Sequence, residues 1–327
     1  MGLNRNDKKL LTSLEICAGA GGQALGIEQA GFHAAALVEN DQNACATLRL
    51  NRPQWNVIEQ DVCHFSAAPY RGVDLFAAGV PCPPFSVAGK QIGRDDERDL
   101  FPQALRLIAE CQPRAVMLEN VRGLLDPAFA DYRGWIDERL RCLGYVPHWK
   151  LLNACDFGVP QLRPRVVCVA LAEKFAPYFA WPEPAIFPAL TVGAALRELM
   201  ASGGWENAEA WAAQASRIAP TLVGGSKKHG GPDLGPTRAR AAWAALGVNG
   251  GKLALEPPPP GFVGLPHLTV PMAARIQGFP SDWQFSGSKT ASYRQVGNAF
   301  PPPVARAVAA AIHCALTTSE KKRKGGA

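Results

Sequence analysis

Apolar and polar positions follow two alternating periods through the first half of the chain. Leu11 to Cys17 is a short, nearly continuous apolar run, the pattern of a buried strand. Gly22 to Ala30 then carries helical spacing. Further short apolar runs predict strands at Ala34 to Val38, Val57 to Glu59, Val73 to Ala78, Ala115 to Leu118, Tyr145 to Leu152 and Val166 to Leu171. Helical patterns fall between them at Asn43 to Leu50, Leu100 to Cys111 and Asp131 to Leu143. Such alternation predicts an α/β domain with a largely parallel sheet. Ligands of such a sheet bind outside the carboxyl ends of its strands.

The pattern changes after Lys174. Proline and aromatic residues crowd Phe175 to Phe187, two short Ala- and Trp-rich helical stretches follow, and a Gly-rich basic loop spans Gly224 to Gly235. A proline run covers Pro257 to Pro260, and an amphipathic helix returns at Pro303 to Leu316. That helix is expected to pack on the first domain, which makes 175–266 an insertion between a catalytic and cofactor-binding segment, 1–174, and its return, 267–318. Residues 319–327 form a basic tail, read most simply as a solvated end.

Composition narrows the class. Nearly half of the 327 residues are hydrophobic, enough for a sizeable core. No apolar run reaches the roughly 18–20 residues of a membrane span, and the polar Met1 to Leu10 reads as neither signal peptide nor lipidation signal. No membrane partner and a cytoplasmic location are therefore expected. The nine cysteines form no CxxC pair and the six histidines do not cluster near them, which excludes a zinc site and a disulfide framework. No metal is expected. The net charge of +6 matters through its distribution: Lys227, Lys228 and His229 stand together, with Arg238 and Arg240 close behind.

Candidate chemistry lies at the predicted strand ends. Cys17-Ala-Gly-Ala-Gly-Gly22 follows the first strand and opens the first helix. Its glycines Gly19, Gly21 and Gly22 allow a tight turn and close approach to a ligand, although such a turn can also be a mere corner. The spacing differs from the dinucleotide GxGxxG. Glu39 closes the second strand, where a carboxylate can accept from two ribose hydroxyls. Asp61 follows the third, placed to accept from an adenine amino group. Together they predict a nucleoside cofactor.

The fourth strand runs into Gly79-Val-Pro-Cys82-Pro-Pro-Phe-Ser86. Three prolines hold one thiol in a stiff extended loop at the ligand edge. The next strand delivers Glu119 and Asn120 to that edge, and Gln161-Leu-Arg163-Pro-Arg165 places two arginines to extend from one side of a strand. Nucleophile, acid and guanidinium converge if the sheet is parallel. A thiolate adding to C6 of cytosine makes C5 nucleophilic toward a methyl sulfonium, an acid at N3 neutralises the ring, and an arginine holds the O2 side. Arg165 is the candidate source of the positive field that favours the Cys82 thiolate.

These segments resemble the DNA cytosine-5 methyltransferase family, in order and across nearly the whole chain. Glu15 to Gly22 is similar to its first motif, with Cys17 where a Phe is usual. Pro81-Cys82 resembles the catalytic motif, with Pro83 where Gln is commoner. Glu119-Asn120-Val121, Gln161-Leu-Arg163-Pro-Arg165, Arg275-Ile-Gln-Gly-Phe-Pro280 and Gln295-Val-Gly-Asn298 match later signatures. The resemblance implies a Rossmann-like methyltransferase domain with a mostly parallel sheet, plus a small loop-rich target recognition domain. It implies S-adenosyl-L-methionine as cofactor, double-stranded DNA as substrate, and restriction–modification (paired with an endonuclease) or orphan DNA methylation as the role. A monomer is expected.

The same resemblance makes Cys82 the nucleophile and gives Glu119 the N3 contact. It has Arg163 and Arg165 supporting the base and the active-site loop, and Asn120 ordering the loop and falling to the substrate side. Cys17, Gly19, Gly21, Gly22, Glu39, Asp61 and Asn298 fall to the cofactor. Ser86, Thr221, Lys227, Lys228, Arg238 and Arg240 fall to the DNA, though Thr221 is equally a plain β-branched strand residue. Ala88 to Asp99 reads as a loop that closes over DNA, or as a solvated one. The target base must leave the stack, at a cost of a few kcal/mol, which phosphate contacts offset. Two rivals are a tRNA cytosine methyltransferase and a catalytically silent DNA-binding module. The long stretch between Arg165 and His267 argues against the first, and the filled catalytic positions argue against the second.

Overall fold

The computed structural model describes residues 10–81, 99–184, 190–224, 231 and 233–324. Cys82, Ser86, the stretch 88–98, Lys227, Lys228 and His229 lie outside the described residues.

Seven strands form one sheet: β1 (Leu11–Ile16), β2 (Phe32–Glu39), β3 (Val57–Glu59), β4 (Leu75–Gly79), β5 (Ala115–Val121), β6 (Tyr145–Asn153) and β7 (Pro164–Ala172). Their order is β3-β2-β1-β4-β5-β7-β6. The five strands from β3 to β5 are parallel, and β7 runs antiparallel to both β5 and β6. The fold is thus α/β with a mostly parallel sheet. The order reverses between β1 and β4, where a doubly wound sheet opens its ligand crevice.

The helices are α1 (Gly22–Gln29), α2 (Gln42–Asn51), α3 (Phe101–Cys111), α4 (Ala130–Cys142), α5 (Val192–Ala201), α6 (Ala208–Gln214), α7 (Thr237–Ala244), α8 (Val270–Gln277), α9 (Lys289–Asn298) and α10 (Pro302–Lys324). Period-two alternation sends neighbouring residues of one strand to opposite faces. Phe76 and Leu118 pack with Leu107, Ile108 and Ile136 of α3 and α4. Leu75, Ala77 and Met117 pack with Val304, Val308 and Ile312 of α10. α10 is apolar over a length that could cross a membrane by composition alone, but here that apolar face lies against the sheet and α1. At Gly26 a Cβ would meet the Pro302 carbonyl oxygen at 2.5 Å, so only glycine lets α1 and α10 come this close.

The structure moves three boundaries. Phe175 is buried with the sheet core, a short turn at Ala176–Tyr178 packs on α10, and Phe179 and Trp181 cover His148 and Lys150 of β6. The stretch after Lys174 therefore stays on the first domain through Trp181, held by aromatic burial. The inserted stretch that follows is less loop-rich than its glycines and prolines suggest. α5, α6 and α7 bury Leu196, Trp211 and Trp243 in a cluster shared with Leu25, Leu37 and Leu48 of the first domain. Finally, the backbone of α10 runs on through Lys321 to Lys324, so the basic end begins as helix.

Candidate active site

The crevice between β1 and β4 is a cavity of about 310 Å³. Its floor is the turn from β1 into α1. Cys17 and Gly19 both adopt left-handed backbone, with φ of 53° each. Gly19 donates its N–H to Glu39 Oε2 at 2.7 Å, while Glu39 Oε1 accepts from the Asn40 and Asp41 amides at 2.9 and 2.8 Å. Three backbone amides thus aim Glu39 from the end of β2 into the cavity. A carboxylate has about four acceptor sites, so one remains for a ligand hydroxyl.

Cys17, Gly19, Gly22, Glu39 and Asn298 all line the cavity, as expected. Gly21 does not. It precedes α1 with φ 83°, and a Cβ there would meet the Leu48 side chain at 2.6 Å and Trp283 at 3.1 Å. Only glycine fits at this position, between α2 and Trp283. Asp61 stands at the exposed rim between the lining residues Gln60 and Val62, accepting from the Cys63 amide at 2.8 Å. That bond holds its carboxyl below the usual range.

The cavity also shows residues that pattern reading did not single out. Glu15 and Gln23 line it while almost wholly buried. Glu15 Oε2 and both polar atoms of the Gln23 amide have no hydrogen-bond partner among the described residues. Burial, with Glu39 nearby, holds the Glu15 carboxyl well above its ordinary range. Unpaired buried polar atoms are costly, so their convergence on one cavity fits a polar, nucleoside-bearing amino acid of the S-adenosylmethionine kind. A signal existed: Glu15 is an acidic residue inside the otherwise apolar, buried end of β1. Arg294 also lines the cavity, with Asp41 4.0 Å away.

The chemical end of the cavity is built where β4, β5 and β7 meet. Gly79 pairs with Glu119 across the parallel β4–β5 ladder, and Pro81 and Glu119 line the cavity. Asn120 donates its side-chain amide to the Val80 carbonyl at 3.1 Å and accepts from the Val121 amide at 2.7 Å. Its buried side chain ties down Val80, in the segment leading to Cys82, in line with ordering that loop.

Glu119 faces Val167 in the β5–β7 ladder, and Arg165 lies two positions along on the same face. Their ion pair measures 2.9 Å. Acid and guanidinium meet, but not through a parallel sheet: β7 runs antiparallel, so its beginning, not its end, lies beside the carboxyl end of β5; Cys82 lies outside the described residues. Burial raises the Glu119 pKa above the ordinary value, and Arg165 and Arg163 oppose the rise.

Arg163, expected to support the base and the active-site loop, is fully buried. Its guanidinium donates to the carbonyls of Leu222 at 2.8 Å, Gly297 at 2.7 Å and Ala299 at 3.0 Å. Gln161 joins this network, donating to the Ile276 carbonyl and to Gln277 Oε1 and accepting from the Leu222 amide. These two side chains fasten β7 to the inserted stretch and to α8 and α9. Arg163 is a positioning residue. Thr221 also turns inward, its hydroxyl donating to the Leu162 carbonyl. Arg238 and Arg240 are exposed on α7 rather than on a loop.

The family model described as C-5 cytosine-specific DNA methylase matches residues 11–226 and 263–314. The chain belongs to this family. It is similar to the type II methyltransferase M.NaeI of Lentzea aerocolonigenes, 59% identical over 319 residues, covering 96% of this chain and 77% of the relative. It is likewise similar to M.NgoMIV of Neisseria gonorrhoeae, 56% identical over 309 residues, covering 93% of this chain and 98% of the relative. Solved structures share the fold. A mutant of Spodoptera frugiperda DNMT2 superposes with a TM-score of 0.65 at 18% identity, covering 93% of this chain and 99% of that one. The Entamoeba histolytica methyltransferase EhMeth gives 0.65 at 15%, covering 93% and 98%. As a family member the chain is a DNA cytosine-5 methyltransferase.

Proposed function

We propose that this methyltransferase acts through a covalent Cys82–C6 adduct on a cytosine flipped out of duplex DNA. The observation that carries this reading is the Glu119–Arg165 pair at the cavity edge, beside the strand end that runs into Cys82. The Cys82 thiolate adds to C6 and the electron pair moves toward N3. Glu119, whose buried carboxyl favours its proton, donates at N3, and Arg165 anchors Glu119 and faces the O2 side. C5 takes the methyl group, then loses its proton, and the C6–S bond breaks to free Cys82. S-adenosylmethionine, when bound, supplies the methyl group as a sulfonium. Glu39, with Asn298 across the cavity, would hold its ribose and amino-acid parts.

The inserted stretch after Trp181 serves as the target recognition unit in this reading. Support comes from the gap in the family match at 227–262 and from the exposed Arg238 and Arg240. Lys227 and Lys228 are assigned to phosphate. The names of the two bacterial relatives support a restriction–modification role, protecting DNA from a partner endonuclease in the cytoplasm.

The test is a mechanism-based trap. Duplex DNA carrying 5-fluorocytosine at the target has no C5 proton to lose, so it should stay bonded to the protein. Peptide mapping should place the bond at Cys82. A bond at another cysteine, or turnover without any adduct, overturns the mechanism.

A further inference from the structure

The cofactor cavity is acid-rich. Glu15 from β1, Glu39 from the end of β2, Asp41 before α2 and Glu119 from β5 line it, against the one guanidinium among the described lining residues, Arg294 of α9. Glu39 is fixed by three amides, Asp41 caps α2 by accepting from the Asn43 and Ala44 amides, and Glu119 pairs with Arg165. Glu15 differs. It is 1% exposed, one of its oxygens has no partner among the described residues, and its neighbour Gln23, 3% exposed, offers an amide with neither atom engaged there. Both residues line the cavity a cofactor would fill.

A buried carboxylate with no counter-charge is costly, and Glu39 beside it adds repulsion. Without a ligand, Glu15 is therefore best accommodated as a neutral acid, the state burial favours. A cation placed in the cavity reverses the preference. S-adenosylmethionine and its demethylated product have nearly the same shape, but only the donor carries the sulfonium charge.

We propose that Glu15, which lines the cavity together with Gln23, senses cofactor charge: it gives up its proton when the sulfonium donor binds and recovers one when the thioether product forms. The proton balance is one proton to solvent on donor binding and one regained after methyl transfer, separate from the C5 proton of the reaction. The cavity would then favour donor over product, and the preference would grow as pH rises toward the pKa of Glu15 in the empty cavity. The inference rests on the S-adenosylmethionine reading above.

The test is calorimetric titration of the full chain with S-adenosylmethionine and with S-adenosylhomocysteine, in buffers of different ionisation enthalpy at neutral pH. The donor should release about one more proton than the product, a full single-site linkage. A donor analogue with a cationic amine in place of the sulfonium should behave like the donor. In Glu15→Gln the difference in proton count should vanish and the donor-to-product affinity ratio should fall by about tenfold or more, the worth of one pKa unit or greater. Equal proton counts in the wild-type chain, which need no variant to fold, overturn the proposal. Failure to bind S-adenosylmethionine at all would instead overturn the cofactor reading.

Discussion

Arg165 Nε lies 2.9 Å from a carboxylate oxygen of Glu119, diagonally across the antiparallel β5–β7 ladder. Both side chains are nearly buried, at 13% and 11% exposed. The pair sets the protonation of the acid: burial pushes the Glu119 carboxyl up and the guanidinium pulls it back.

The sign of its pH dependence follows. A carboxyl with a raised pKa keeps its proton above the ordinary range and loses it as pH rises through that pKa. Single-turnover methylation should fall on that limb. Arg165→Gln removes an influence that lowers the pKa, so the limb should move to higher pH. Glu119→Gln should remove the limb and cut the rate by about two to four orders of magnitude, with cofactor affinity nearly unchanged. If cofactor binding collapsed while chemistry survived, Glu119 would belong to the other end of the cavity.

Arg163 should behave differently from Arg165. Arg163→Met removes the guanidinium that donates to the carbonyls of Leu222, Gly297 and Ala299, of which Ala299 keeps the Gln277 side-chain amide as a donor. A loss of stability on the order of 3 kcal/mol is expected, as for other broken buried charge networks. Lysine should not rescue it, because one ammonium cannot reproduce the planar fork. Denaturant unfolding measures the loss. Wild-type stability together with a rate as low as that of Glu119→Gln would return Arg163 to the reacting base.

Glu39→Ala tests the cofactor assignment. It removes the acceptor of the Gly19, Asn40 and Asp41 amides along with any ribose contact. S-adenosylmethionine affinity should weaken by roughly 1–3 kcal/mol, the cost of unpaired hydrogen-bonding groups. Calorimetry showing unchanged affinity would take Glu39 out of the ribose role.

DNA reading should separate by salt. Alanine at Lys227 or Lys228 should weaken binding to target and scrambled duplexes alike and lower the salt slope by about one unit. Alanine at Arg238 or Arg240 should relax discrimination at one base pair by about 1–3 kcal/mol. If all four variants keep specificity and slope, recognition lies elsewhere in the inserted stretch, and the chain between Thr191 and Ser216 becomes the next target.

What the sequence determined by itself is local and ordered. Strand and helix periods, the glycine turn, and Glu39 and Glu119 at strand ends are all fixed by neighbours in the chain, because a period of 2 or 3.6 needs only a few residues to declare itself. The elements α8 and α9 escaped that reading, since their short amphipathic stretches draw their stability from burying Met272, Ile276, Tyr293 and Val296 against distant helices. Tertiary structure alone decided the direction of β7, and with it which arginine meets the acid. Gln161-Leu-Arg163-Pro-Arg165 reads as two equivalent cations along the chain. In the fold one is consumed by three backbone carbonyls and the other faces Glu119. That Glu15 Oε2 and the Gln23 amide have no partner among the described residues was also beyond sequence, because the surroundings of a buried polar atom depend on every element that encloses it.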